Sequence, residues 1–145
     1  MNITDNAGRT PLHWAALDAD DNVNRLFLDR SADLAKLQDN DGNTPLHLAV
    51  WKDRMSTVRL IVGRDHSLAK IQNEDGDTPL HTANKRDKYK AEMALMMTGV
   101  YGWRYENAQE VNNSGYTAKH YRDILCGSMI EWYSNDWYRK CCPSC

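Results

Sequence analysis

Apolar residues in this chain fall into short paired clusters separated by polar, turn-forming stretches. Leu12, Ala15 and Ala16 make a small apolar face, and after the polar link Ala19-Asp20-Asp21 come Val23, Leu26, Phe27 and Leu28. The i, i+3, i+4, i+5 spacing of the second cluster is that of a buried helical stripe. It predicts two short helices joined by a tight reversal. The script runs again with Val58, Leu60, Ile61 and Val62, and a third time with Met93, Leu95, Met96 and Met97. A polar turn precedes each pair: Asp5-Asn6-Ala7-Gly8, Asp39-Asn40-Asp41-Gly42 and Asn73-Glu74-Asp75-Gly76. The closing glycine supplies the positive φ that such a turn needs.

Each turn runs into the same helix start. Thr-Pro-Leu-His stands at Thr10–His13, Thr44–His47 and Thr78–His81, a period of 34 residues. Threonine suits the N-cap, because its hydroxyl can accept an amide of the first turn. Proline suits the first helical position, where a missing N–H costs nothing. The links Leu34-Ala35-Lys36-Leu37-Gln38 and Leu68-Ala69-Lys70-Ile71-Gln72 are nearly identical, which marks internal duplication rather than chance recurrence of a tetrapeptide. A degenerate fourth copy, Asn112 to His120, follows after 39 residues, with Ala118 in place of proline and Lys119 in place of leucine.

A period of about 33 residues with this signature resembles the ankyrin repeat. The resemblance covers nearly the whole chain. It implies an all-α fold, an ankyrin-repeat solenoid of helix-turn-helix units with β-turn tips. It further implies one domain over 1–145, with repeats of about 5–38, 39–72, 73–111 and 112–145. The last repeat, rich in Trp132, Tyr133, Trp137 and Tyr138, takes the role of a C-terminal cap, since a terminal repeat faces water on one side. Repeat one begins at Asp5 and has the character of an internal repeat, so an upstream segment is expected.

Composition narrows the function classes. The net charge is −2 with both signs interspersed, which argues against a nucleic-acid surface. The short basic stretch from Lys85 to Lys90 is interrupted by Asp87 and does not alter this. No apolar run approaches the ~18 residues of a membrane span, and the N-terminus lacks the basic and apolar regions of a secretory signal. All four cysteines (Cys126, Cys141, Cys142 and Cys145) lie in the last twenty residues. That distribution fits a reducing, cytoplasmic setting and a fold held by packing. The tail Cys141-Cys142-Pro143-Ser144-Cys145 leaves three readings open: free or reversibly acylated thiols, a zinc site completed by Cys126 or His120, and prenylation of Cys142.

Catalysis and cofactors are not expected. The chain has no Gly-rich phosphate loop, paired metal-ligand motif or calcium-loop spacing. His13, His47, His81 and His120 recur with the repeat, but stacked helices lie about 10 Å apart. Zinc–nitrogen bonds are about 2 Å, so one metal ion cannot bridge two of them. The resemblance implies instead that each imidazole bonds the threonine hydroxyl of its own turn and the backbone of a neighbour. His66 reads as a surface histidine.

The resemblance also implies that another protein binds at a concave surface of turn tips and first helices, with the chain monomeric alone. Carried onto this sequence, the outward positions are Asn6, Ala7, Arg9, Leu17 and Asp18 in repeat one, and Asn40, Asp41, Asn43, Trp51 and Lys52 in repeat two. In repeat three they are Glu74, Asp75, Asp77, Lys85 and Arg86, and in repeat four Asn113, Ser114 and Tyr116. Trp51 leads this set, because exposed tryptophan is a common interface anchor. The tips are acidic and the groove below them is basic, which suits a partner with a basic edge and an acidic one. Tyr101, Trp103, Arg104 and Tyr105, in the longer link after repeat three, leave two readings open: a second partner contact, or aromatics folded back over the atypical fourth repeat. The alternative function is substrate recognition within a larger enzyme whose catalytic domain lies upstream. Bacterial effectors of the OspC type share that architecture.

Overall fold

A computed structural model of the chain describes residues 3–18, 20–98 and 109–121. Three helix pairs follow one another: α1 (Pro11–Leu17) with α2 (Asp21–Arg30), α3 (Pro45–Trp51) with α4 (Met55–Arg64), and α5 (Pro79–Lys85) with α6 (Tyr89–Met97). Helical backbone begins again over 118–121. First helices pack on first helices (α1 on α3, α3 on α5) and second helices on second helices (α2 on α4, α4 on α6), giving two layers. The links after α2 and α4 wind into short 3-10 helices, Ala32–Lys36 and His66–Lys70. Among the described residues the one strand-like pairing is an isolated antiparallel bridge between Val111 and Thr117.

Between the layers lies one continuous core. Leu12, Leu46 and Leu80 occupy matching positions and are fully buried, each contributing roughly 2 kcal/mol. Ala16, Ala49 and Ala83 pack beside them, and their small side chains permit the close helix spacing of a stack.

The expected stripe in α2 needs correction. Leu28 is buried, but Val23 is 38% and Leu26 59% exposed. The reason lies in the stack. Thr57, which matches Val23, is buried and donates its hydroxyl to Asp21 of the preceding repeat at 3.0 Å. No described residue covers the corresponding side of α2. The buried position next to Val23 is held by Asn24, whose amide donates to the Ala15 and Asp20 carbonyls at 3.0 and 3.1 Å. In α6, Met97 is likewise exposed, because the buried face is set by Ala91, Ala94 and Leu95. The expected α2 linker also ends one residue early, with Asp20 capping the helix at the Asn22 amide.

Each turn is closed by the side chain of its first residue. One Asp5 oxygen accepts the Ala7 and Arg9 amides at 2.9 Å each. Asp39, Asn73 and Asn112 repeat this double acceptance at the same offsets. Consecutive turns are then tied by backbone: Asn40 to Ala7 at 2.9 Å, Glu74 to Asp41 at 3.1 Å and Asn113 to Asp75 at 3.0 Å. Gln38 and Gln72 add amide donors that reach across to the next repeat's link.

The three buried histidines lock helix to turn and repeat to repeat. The Nδ1 atoms of His13, His47 and His81 accept the Thr10, Thr44 and Thr78 amides at 3.1–3.3 Å. They also lie 2.8–2.9 Å from the threonine hydroxyls. Their Nε2–H groups donate to the Asn43, Asp77 and Tyr116 carbonyls of the following repeat at 2.9–3.0 Å. A carbonyl can only accept, so Nε2 carries the proton and Nδ1 is the acceptor. His120 departs from the expected pattern: its ring is exposed and stacks on Tyr116 at 4.4 Å. Its ring makes no hydrogen bond among the described residues. The reversal after α3 uses a non-glycine residue at positive φ, Asp53, whose carboxylate caps the next repeat's second helix at the Ala91 amide at 2.8 Å.

Two stability predictions follow from these contacts. Gly42 has φ +74°, and a Cβ there would stand 2.6 Å from the Glu74 amide nitrogen. Gly42→Ala should destabilise the chain by about 2 kcal/mol or more in urea denaturation. Gly115→Ala, with φ +78° but open space around it, should cost only about 1 kcal/mol. Burial pushes the His47 imidazole down from 6.5 to about 4, against the opposing pull of the Asp77 carbonyl, and His13 moves the same way. Unfolded chains therefore take up protons below 6.5 that the folded state refuses until about 4. Stability is full above that window and falls as pH drops through it, by on the order of 3 kcal/mol from His47. Thermal melts between pH 7.5 and 4.5 should show the decline, and His47→Gln should lower stability at neutral pH but flatten the slope.

Candidate functional site

The second and third turns, the helices α3 and α5, and Arg9 of the first repeat line a cleft of about 370 Å³. Its floor carries Leu48 and Thr82, its tip side Asp41, Glu74 and Asp75, and its far side Trp51 and Arg86. The repeat explains this grouping, because stacking brings residues 34 apart side by side. Trp51 closes α3, where a helix end leaves it 41% exposed. Lys52 stands 4.7 Å and Arg86 6.0 Å from its ring centroid, so the indole is bracketed by cations rather than stacked on another aromatic.

The charged residues sort into closed pairs and open groups. Asp77, expected to face outward, is 3% exposed. It accepts from Lys85 at 3.2 Å and from Asn112 at 2.7 Å. It sits two residues before the Pro79 helix start, where the chain turns inward beneath the tip. The bond to Asp77 raises the Lys85 ammonium above its ordinary value. Arg9 is also engaged internally, 3.5 Å from the buried Asp39 carboxylate and over the Trp14 ring at 5.5 Å. Asn43 accepts from Asn73 at 3.0 Å. By contrast the exposed carboxylates of Asp41, Glu74 and Asp75 make no hydrogen bond or ion pair among the described residues.

Other expected positions serve the stack itself. Asn40 donates its amide to the Asn6 carbonyl at 3.0 Å, and Asn113 donates to Glu74 at 2.7 Å. Ala7 and Leu17 are half-buried, while Asp18 and Ser114 are exposed. Tyr116 is 43% exposed but faces His120 and Tyr121 rather than the cleft. Tyr101, Trp103, Arg104 and Tyr105, like the cysteine tail, lie outside the described residues.

Sequence reasoning missed Trp14 as a surface residue. It is 49% exposed on α1, and its indole donates to Asp5 at 3.0 Å. The Arg9 amide and this indole hold the Asp5 carboxyl below its ordinary range. The period gave no signal of this, because the matching residues are Leu48, which is buried, and Thr82, which is half-buried.

No helix among the described residues is long and apolar enough to cross a membrane. None of their His, Cys, Asp and Glu side chains gather in threes to hold a metal ion. A family model of ankyrin repeats, written as three copies, matches residues 1–70, and no curated protein sequence matches the chain. The structure carries the matched pattern onward, with the same turn, histidine bond and helix pair at Asn73–Met97 and the same turn at Asn112. On the matched segment and its structural continuation, the chain belongs to the ankyrin repeat family.

Proposed function

We propose that this chain binds a partner protein through the cleft formed by its turn tips and first helices. Ankyrin repeats are generally protein–protein interaction modules and are typically not catalytic. The observation that carries the reading here is Trp51, 41% exposed in a cleft where Asp41, Glu74, Asp75 and Arg86 are exposed and in no ion pair among the described residues. Turning so large a side chain to water gains the fold little, whereas its burial under a partner would contribute the area typical of an interface anchor. The mechanism is presentation on a rigid frame. Side chains held by a bonded stack lose little entropy on association, so their chemistry sets specificity.

The test is affinity capture from cell extract, followed by titration of the purified retained protein. Trp51→Ala and Arg86→Glu should each weaken that protein's binding by about tenfold or more, with melting curves close to those of the parent chain. Arg25→Glu with Arg59→Glu, on the second helices away from the cleft, should leave binding unchanged. Unaltered affinity in both cleft variants would overturn the reading.

A further inference from the structure

We propose that the cleft takes an extended segment of its partner, with a lysine or arginine at the turn tips and an aspartate or glutamate about three or four residues away, beside Arg86 and Lys52. This rests on the reading of the cleft as the binding site and adds the chemistry of the occupant.

The charge left over once internal pairs are closed gives the cleft its polarity. Lys85 and Asp77 neutralise each other at 3.2 Å, and Arg9 is spent on Asp39 at 3.5 Å. What stays open on the tip side is Asp41, Glu74 and Asp75, three carboxylates on two consecutive turns. They converge because the Glu74 amide bonds the Asp41 carbonyl at 3.1 Å, which holds the two turns in register. At the other end stand Lys52 and Arg86, both over Trp51 and neither in an ion pair among the described residues. The cleft is therefore a dipole, with Leu48 and Thr82 between its poles. Like charges gathered at each pole repel one another in the free protein, and an occupant of opposite polarity relieves both ends at once.

Trp51 fixes which end takes which charge. An open indole face would itself attract a partner's cation. Here its own Lys52 and Arg86 already occupy that role, at 4.7 and 6.0 Å. A partner's cation is thus turned away from Trp51 and toward the tips, and a carboxylate is drawn to the tryptophan end. The spacing follows from α3, which at seven residues is about 10 Å long. An extended chain covers that distance in about three residues.

The probe is a phage-displayed library of random dodecapeptides panned against the folded chain, with enriched peptides titrated by fluorescence polarisation. Enriched sequences should carry Lys or Arg with Asp or Glu about three or four positions away. Asp41→Lys with Glu74→Lys should weaken them by about tenfold or more. Replacing the peptide's basic residue with glutamate should restore affinity for that variant. Arg25→Glu with Arg59→Glu should change nothing. Enrichment of peptides lacking a basic residue, no enrichment at all, or full affinity in the Asp41/Glu74 variant would each overturn the proposal. Loss of binding in Trp51→Ala but not in the Asp41/Glu74 variant would sink this chemistry while leaving the cleft as the site. Parent-like binding in both variants would remove the cleft itself.

Discussion

Everything in this structure depends on how one repeat is fastened to the next. A helix pair of this size cannot bury its apolar face alone, so the stack exists only if neighbouring units hold register. Register is set by a buried, neutral imidazole. His13, His47 and His81 each bond the helix start of their own repeat and a carbonyl of the following turn. Because the ring is rigid and both nitrogens are committed, helix, turn and neighbouring turn are placed by one side chain. The imidazole must be buried to exclude competing water, and the same burial drives the proton off His47.

The surface follows from that fastening. Turns spaced 34 residues apart, and 39 at the last step, are tied by backbone bonds and by Asn40 and Asn113, and present their tips in a row. The first helices end in a second row beneath them. A charge at a tip precedes a first helix and a charge at a helix end follows it, so the cleft acquires two poles without long-range design. Some charges are consumed in building the frame, as Asp77 and Arg9 are. The residues left over are those that the frame does not need.

The first helix pair and the turn at Asn112 show what the stack supplies. Val23 and Leu26 have the spacing of a buried stripe but stay exposed, because that side of a second helix is covered by the preceding unit. His120 keeps the histidine position, but its exposed ring stacks on Tyr116. The same local pattern thus takes different environments according to what packs on it.

The sequence by itself determined the period, the turn, the cap and the helix start, because these are local. An Asx side chain closing a turn, a glycine at positive φ and a Thr-Pro entry need no distant partner to act. It also placed Trp51, Lys52 and Arg86 on one face, since positions at helix ends repeat with the unit. Only the tertiary structure decided which charges were free. Whether Asp77 faces a partner or Lys85 and Asn112 depends on residues 8 and 35 positions away, brought together by stacking. Burial in α2 and exposure of Trp14 were decided in the same way, because a helix face is hidden only by what packs on it.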